Sequence, residues 1–327
     1  MTIEQKVLNH LSSCSTITIV THPLPDGDAI GSSSGLYLFL KEMGMSDVQI
    51  ILPTECPKYL GFINQEDTLV FETNKDECKT RLMKSDTLFI LDFNNLKRIG
   101  ELGDFIKGFD GTRILIDHHQ QPDLSIVDFD LHNTKASSTC ELVYQFCVNM
   151  QKLTVVKLTT KIGEALYTGI LTDTGGFKHG NTGHITHQIA SDIMKMGVNT
   201  HQINTRIFNS TSVNRYKLLG HLLNKTIILN DVAIIPFTLD ERKQFDYVEG
   251  DTEGIVNMPL SCDDVKVSFF ISERDGFTKL SARSKELDVN KLCREFFNGG
   301  GHINAAAGTF DNSIEETIKE IKRIFGK

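Results

Sequence analysis

Aspartate and histidine residues gather at four places in this chain, in types that bind divalent cations. His22, Asp26 and Asp28 lie in His-Pro-Leu-Pro-Asp-Gly-Asp, directly after the β-branched run Thr-Ile-Thr-Ile-Val-Thr. Asp92 closes Thr-Leu-Phe-Ile-Leu-Asp, and Asp117, His118 and His119 close Arg-Ile-Leu-Ile-Asp-His-His. Asp173 sits in Gly-Ile-Leu-Thr-Asp-Thr-Gly-Gly. Sites in α/β sheets assemble at the carboxyl ends of the strands. Carboxylates gathered in one crevice are tolerable only beside cations, so the pattern points to a metal site. Carboxylates and imidazoles without a nearby thiolate favour manganese- or magnesium-type ions over structural zinc. A carboxylate on a different strand, such as Asp92, could bridge two ions. Two ions about 3.5–4 Å apart form the usual clamp for phosphoryl displacement. Any one of these aspartates alone reads better as a helix cap; only their combination points to a metal site.

The elements that must position these residues follow from hydrophobic patterning. Residues 1–12 read as an amphipathic helix, Thr16–Thr21 as a strand, and Ala29–Met43 as a helix with Gly31, Ser32, Ser33 and Ser34 in its first turns. Further strands are expected at Val48–Leu52, Thr87–Asp92 and Arg113–Asp117, with helices at Ser138–Val148 and Lys161–Leu171. This alternation predicts an α/β fold, with a mostly parallel, doubly wound N-terminal sheet. The metal-binding domain is expected over residues 1–185, a helical linker over 186–224, and a smaller α+β domain over 225–327. In that last domain, hairpins are expected across Asn230-Asp231 and across Arg274-Asp275-Gly276, with helices at Val289–Phe297 and Ile314–Phe325.

The second domain carries Asn298-Gly-Gly-Gly-His302, followed by Ile-Asn-Ala-Ala-Ala-Gly308. Gly299, Gly300 and Gly301 leave the backbone bare, so amides can approach an anion, and His302 can donate to one. A plain turn between helix and strand is the competing reading. Arg283 ends a strand and is a candidate fork for phosphate or carboxylate. His179, His184, His187, His201 and His221 are expected in solvated or linker positions, and Asp128 and Asp130 in a solvated loop. Phe177 and Phe297 are candidates for base stacking.

The chain has 327 residues, enough for about two domains, and 40% hydrophobic residues, enough for a sizeable core. A formal net charge of -8 argues against binding of long duplex nucleic acid, which needs an extended basic surface. It leaves small phosphorylated ligands open. Seven scattered cysteines with no Cys-x-x-Cys pair fit free thiols in a reducing compartment. No secretory signal or membrane-length apolar run is visible, so a cytoplasmic location is expected.

The four clusters together resemble the DHH phosphoesterase superfamily, in the branch with a DHH-associated C-terminal domain. His22-Pro-Leu-Pro-Asp-Gly-Asp-Ala-Ile-Gly-Ser32 is similar to its first motif, and Leu91-Asp92 with Arg98-Ile-Gly100 to its second. Asp117-His118-His119 is similar to the third, Leu171-Thr-Asp-Thr-Gly175 to the fourth, and Gly299-Gly-Gly-His302 with Ala306-Ala-Gly308 to the C-terminal signature. Leu24 stands where a polar residue is common. The resemblance implies two domains facing a cleft and two Mn2+ ions, with Mg2+ or Co2+ as alternatives. It implies metal ligation by His22, Asp26, Asp28, Asp92, His118 and Asp173, with Asp92 bridging. His119 would contact the phosphate or transfer a proton, and Asp117 would orient a neighbouring ligand. Arg283 and Gly299–His302 would hold the substrate.

In size and layout the chain is similar to the nanoRNase and pAp phosphatase branch. The expected activity is hydrolysis of short single-stranded oligoribonucleotides, or of adenosine 3′,5′-bisphosphate, by water activated between two metals. Alternatives are a cyclic or linear dinucleotide phosphodiesterase, a pyrophosphatase or exopolyphosphatase, and a nucleotide-binding sensor without turnover. The oligomeric state stays open, a homodimer among the options.

Overall fold

The structure is a computed structural model that describes residues 2–209 and 212–326. The chain divides into two compact units, Met1–Ser210 and Thr211–Lys327.

The first unit contains strands β1 (Thr16–Val20), β2 (Asp47–Leu52), β3 (Leu69–Val70), β4 (Thr87–Leu91), β5 (Thr112–Asp117) and β6 (Phe129–His132). Its helices are α1 (Ile3–Leu11), α2 (Gly27–Glu42), α3 (Lys75–Lys84), α4 (Glu101–Lys107), α5 (Thr139–Gln151), α6 (Thr160–Asp173), α7 (His184–Lys195) and α8 (Thr200–Phe208). The strands form one sheet in the order β3-β2-β1-β4-β5-β6, with every neighbouring pair parallel. Both faces are covered, so β4 is buried at every residue. Its side chains alternate between two cores. Phe89 and Leu91 pack with α1, α2, α5 and α6, whereas Leu88 and Ile90 pack with Leu82 of α3 and Leu102 of α4. Strand order reverses between β1 and β4. This reversal is the topological switch point, beside whose carboxyl ends α/β sheets hold their ligands.

The second unit contains α9 (Val213–Asn224), β7 (Ile227–Leu229), β8 (Val232–Phe237), α10 (Leu239–Gln244), β9 (Val267–Arg274), β10 (Phe277–Ser284), α11 (Val289–Phe296), β11 (Gly300–His302), β12 (Ala305–Phe310) and α12 (Ile314–Phe325). Its sheet runs β11-β12-β10-β9-β8-β7 and is mixed, because β8 and β9 pair parallel while the other neighbours pair antiparallel. Both expected hairpins form, the second across Asp275-Gly276, with Gly276 at φ +83°.

The helices expected as a separate linker over 186–224 are divided between the units instead. Ile189, Ala190, Ile193, Val198 and Ile203 join the first unit's core. Leu218, Leu219 and Leu222 of α9 pack with Ile235, Phe237 and Ile255 in the second. Their apolar stripes are the reason, since an amphipathic helix is stable where it can bury its face.

Candidate metal centre

The loop after β1 starts the site. His22 donates Nδ1–H to the carbonyl of Pro23 at 2.9 Å, which leaves Nε2 as the free lone pair. That atom lies 3.3 Å from Asp92 Oδ2 and 4.0 Å from Asp26 Oδ1. Asp26 caps α2, accepting the amides of Asp28 and Ala29 at Oδ1. Leu24, between the two, is exposed and left-handed (φ +52°), with its N–H held by the Thr54 hydroxyl.

Asp28, the second residue of α2, is buried. Its Oδ2 accepts Thr139 N at 2.6 Å and its Oδ1 accepts Cys140 N at 2.8 Å, both from the first turn of α5. Asp92 follows β4 in a left-handed conformation (φ +64°) and is also buried. Its Oδ1 accepts the Thr139 hydroxyl at 3.0 Å. His118 Nε2 lies 3.4 Å from Asp173 Oδ2, 3.7 Å from Asp92 Oδ1 and 3.9 Å from Asp28 Oδ2. Asp173 is the last residue of α6. His119 donates Nδ1–H to Asp117 Oδ1 at 2.8 Å, and that nitrogen is 3.8 Å from Asp92 Oδ1.

Three groups therefore have donor atoms within 4.8 Å of one another: His22, Asp26 and Asp92; Asp28, His118 and Asp173; and Asp92, His118 and His119. The fold brings together all six residues expected as ligands, from four separate segments. Asp92 turns one oxygen to each side, Oδ2 to the first group and Oδ1 to His118. The donors are oxygen and imidazole nitrogen. The nearby Cys140 stays a protonated thiol, pushed well up by burial and then by Asp28, and it donates to the Asp28 carbonyl. This donor set fits hard or borderline divalent cations.

The electrostatics of these residues point the same way. Burial pushes the Asp173 carboxyl up to about 10, with Asp28, Asp92 and Asp26 adding to it. Burial raises Asp92 well above its usual range, with Asp28 the largest charge contributor, and raises Asp28 as well, against the opposing pull of His118. Burial also pushes Asp117 up, but its hydrogen bond and charge contact with His119 outweigh this and hold it below its usual value.

A carboxyl raised in the folded state keeps a proton that the unfolded chain releases near pH 4, about its ordinary value. Across the window up to about 10 set by Asp173, the folded protein binds more protons, so stability falls as pH rises. We expect chelator-treated protein to be less stable toward urea at pH 8.5 than at pH 5.5. Added Mn2+ should displace those protons and stabilise more strongly at the higher pH. Equal urea midpoints at both pH values in chelator would contradict this account.

Several contributors escape sequence reasoning. Thr139 and the Cys140 amide hold Asp28 and Asp92, and the only hint was the Ser138-x-x-Glu141 pattern that opens α5. Asn181 donates to the carbonyls of both Ser137 and Asp173, and His132 bonds the carbonyl of His119. No sequence pattern marks either. Asp130 belongs to β6 with a buried oxygen, not to a solvated loop, and Asp128 accepts the Arg113 amide. Of the histidines expected in solvated or linker positions, His179, His184, His187 and His201 are exposed, His187 stacking on Phe177, while His221 is half-buried and pairs with Glu241. Phe297 is buried in the second unit's core, where no base could stack on it.

In the second unit, the glycine stretch is an edge strand. Gly300, Gly301 and His302 pair with Ala307, Ala306 and Ala305. A Cβ on Gly299 would come within 2.0 Å of the Ala307 carbonyl, so that glycine is required by the backbone approach itself. Gly301 N is already bonded to Asn290 Oδ1. Arg283, Ala305 and His302 form one row across β10, β12 and β11, so their side chains share a face. Arg283 is half-buried, its guanidinium shifted down by that burial, and it has no ion pair among the described residues. Small Ala305 leaves room between the two basic side chains.

Comparison with known proteins agrees with the layout. Residues 16–170 match the DHH family, N-terminal domain, and residues 230–327 match the DHHA1 domain. A crystal structure of an exopolyphosphatase-related protein from Bacteroides fragilis superimposes with a TM-score of 0.94 at 34% identity, covering 99% of this chain and 95% of that one. The Streptococcus mutans protein named "Probable bifunctional oligoribonuclease and PAP phosphatase NrnA" is 29% identical over 99% of each chain. The Thermus thermophilus protein named "Bifunctional oligoribonuclease and PAP phosphatase NrnA" is 29% identical over 94% of this chain and 89% of its own.

Proposed function

The chain belongs to the DHH family and carries a DHHA1 domain, and from that premise we propose that it hydrolyses short oligoribonucleotides and adenosine 3′,5′-bisphosphate with manganese as cofactor. It is a metal-dependent hydrolase of phosphoester bonds. The observation that carries the finer reading is the shared carboxylate of Asp92, set between a His22–Asp26 group and a His118–Asp28–Asp173 group. We assign these six residues as the ligands. Two bound divalent cations would supply activated water and offset charge on the phosphate oxygens.

Asp117 accepts the Nδ1–H of His119 and so orients the ring with Nε2 free; with a proton on Nε2 as well, that nitrogen can donate to a phosphate oxygen or to the leaving alcohol. His22 is likewise fixed by the Pro23 carbonyl with Nε2 outward, the form a ligand needs. In the second unit, we assign Arg283, Gly299, Gly300, Gly301 and His302 to substrate binding, with Arg283 and His302 as the anion contacts. The free thiols of all seven cysteines suit a reducing cytoplasm. Among the described residues, no helix is long and apolar enough to cross a membrane.

A second reading, cleavage of inorganic polyphosphate or pyrophosphate, is favoured by the likeness to the exopolyphosphatase-related structure. One panel separates the two. With Mn2+, turnover is measured on a diribonucleotide, a five-mer, a 24-mer, adenosine 3′,5′-bisphosphate, a cyclic dinucleotide and pyrophosphate. Fast cleavage of the short RNAs or the bisphosphate, with the 24-mer nearly untouched, is the expected result. Preference for pyrophosphate, or binding without any cleavage, would overturn the substrate assignment.

A further inference from the structure

We propose that Thr139 is a positioning residue for this centre, and that its amide and hydroxyl together set the spacing of Asp28 and Asp92. The inference rests on reading those two aspartates as ligands. Thr139 reaches both at once: its N–H donates to Asp28 Oδ2 at 2.6 Å, and its hydroxyl donates to Asp92 Oδ1 at 3.0 Å. Thr139, Asp28 and Asp92 are all buried, so water does not compete for either bond. The next amide, of Cys140, takes Asp28 Oδ1, so consecutive donors at the positive end of α5 grip one carboxylate.

The hydroxyl is not needed by its own helix. Ser138 is the cap of α5, accepting the Glu141 amide, and the Thr139 hydroxyl has Asp92 as its partner. A first-turn threonine whose hydroxyl is turned onto a buried carboxylate from another strand serves that carboxylate. Asp92 needs the restraint. It sits in a left-handed backbone conformation and is repelled first by Asp28 among its neighbours. With the donor bridging them, the two carboxylates hold their separation before any cation arrives.

The segment that carries Thr139 is itself fixed. Glu141 is a buried carboxylate held by hydroxyls, accepting Ser137 at 2.7 Å and Thr186 of α7 at 2.8 Å. Asn181 ties the Ser137 carbonyl, at 2.9 Å, to the carbonyl of Asp173, at 3.2 Å. The same strap therefore connects the Thr139 segment to a third ligand. Outer contacts of this kind are worth about 10–100-fold in metal affinity.

The test is titration of Mn2+ into chelator-stripped protein by calorimetry, with Thr139→Val as the near-isosteric loss of the hydroxyl and Thr139→Ser as the rescue. Thr139→Val is expected to bind Mn2+ about 10–100-fold more weakly, while Thr139→Ser matches the wild type. Wild-type affinity in Thr139→Val overturns the proposal. So does equal weakening in Thr139→Ser, since the hydroxyl would then not be the agent. If Thr139→Val fails to fold, Thr139→Ala against Thr139→Ser makes the same comparison. Wild-type protein that takes up no divalent cation would remove the ligand assignment and this inference together. Metal uptake without phosphoester cleavage would remove only the proposed activity.

Discussion

Asp92→Asn is expected to cost the protein nearly all turnover while making the cation-free form more stable. Asp92 Oδ2 lies 3.3 Å from His22 Nε2 and its Oδ1 lies 3.7 Å from His118 Nε2, so one side chain serves both ligand groups. Replacing it takes an anionic donor from each. Metal-ion stabilisation of a phosphoryl-transfer transition state is worth several kcal/mol, and each 1.36 kcal/mol is tenfold in rate, so the loss should reach about a thousandfold. Stability moves the other way. Burial and the Asp28 charge hold the Asp92 carboxyl well above its usual range, so without cations its ionisation is resisted by the fold. An amide of the same shape has no charge to bury. Asparagine also tolerates the left-handed backbone at φ +64°, and its carbonyl can still accept the Thr139 hydroxyl. Steady-state kinetics with Mn2+ and thermal unfolding in chelator at pH 8 check the two halves. Turnover above about a hundredth of wild type would contradict the shared-carboxylate assignment, since that loss is under about 3 kcal/mol.

That prediction was reachable because the ligand-bearing segments were legible residue by residue. Asp92 and Asp117 end or follow apolar runs that do form β4 and β5, and His22 follows β1. Strands buried on both faces read as continuous apolar stretches, so their carboxyl ends can be located from the sequence. Elsewhere the signal was weak for identifiable reasons. β3 has two residues, and β6 (Phe129–His132) is half-buried throughout, so neither shows an apolar run. Gly300–His302 read as a loop because glycine is disfavoured in strands; it pairs because Ala305–Ala307 let its backbone lie against theirs. The parallel pairing of β8 with β9 depends on a long connection through α10, which local pattern cannot encode. Phe297 looked available because an aromatic beside glycines resembles a stacking surface, whereas α11 turns it into the core. Thr139 was invisible for a different reason: its partners, Asp28 and Asp92, are distant in sequence and meet it only after the sheet has formed.

Gly31→Ala is expected to destabilise the protein by about 1–3 kcal/mol, against the usual helix preference. In an open helix, glycine to alanine gains roughly 0.5–1 kcal/mol from the unfolded state's lost freedom. Gly220 in α9 is such a position, with nothing within 4 Å of an added Cβ, and Gly220→Ala should be stabilising by that amount. Gly31 is different. Gly27, Gly31 and Gly35 recur every fourth residue on α2 and so line one face, where α6 packs against it. A Cβ on Gly31 would sit 2.5 Å from the Ala165 carbonyl and 2.9 Å from Cys140 Sγ. The facing Gly169 of α6 is as tight: its Cβ would lie 2.2 Å from Cys140 Sγ and 3.0 Å from the Asp28 Cα. Backbone atoms cannot step aside, so α2 and α6 would have to separate. The same close crossing carries Asp28 near the start of α2 and Asp173 at the end of α6, and brings both to His118. Parting the helices should therefore weaken Mn2+ binding along with the fold, two losses from one methyl group. Urea unfolding of Gly31→Ala and Gly220→Ala, followed by Mn2+ titration of each, gives opposite signs of stability change if the crossing is as tight as the backbone indicates. A Gly31→Ala protein as stable as Gly220→Ala, with unchanged metal affinity, would mean that the helix contact does not set the position of Asp28.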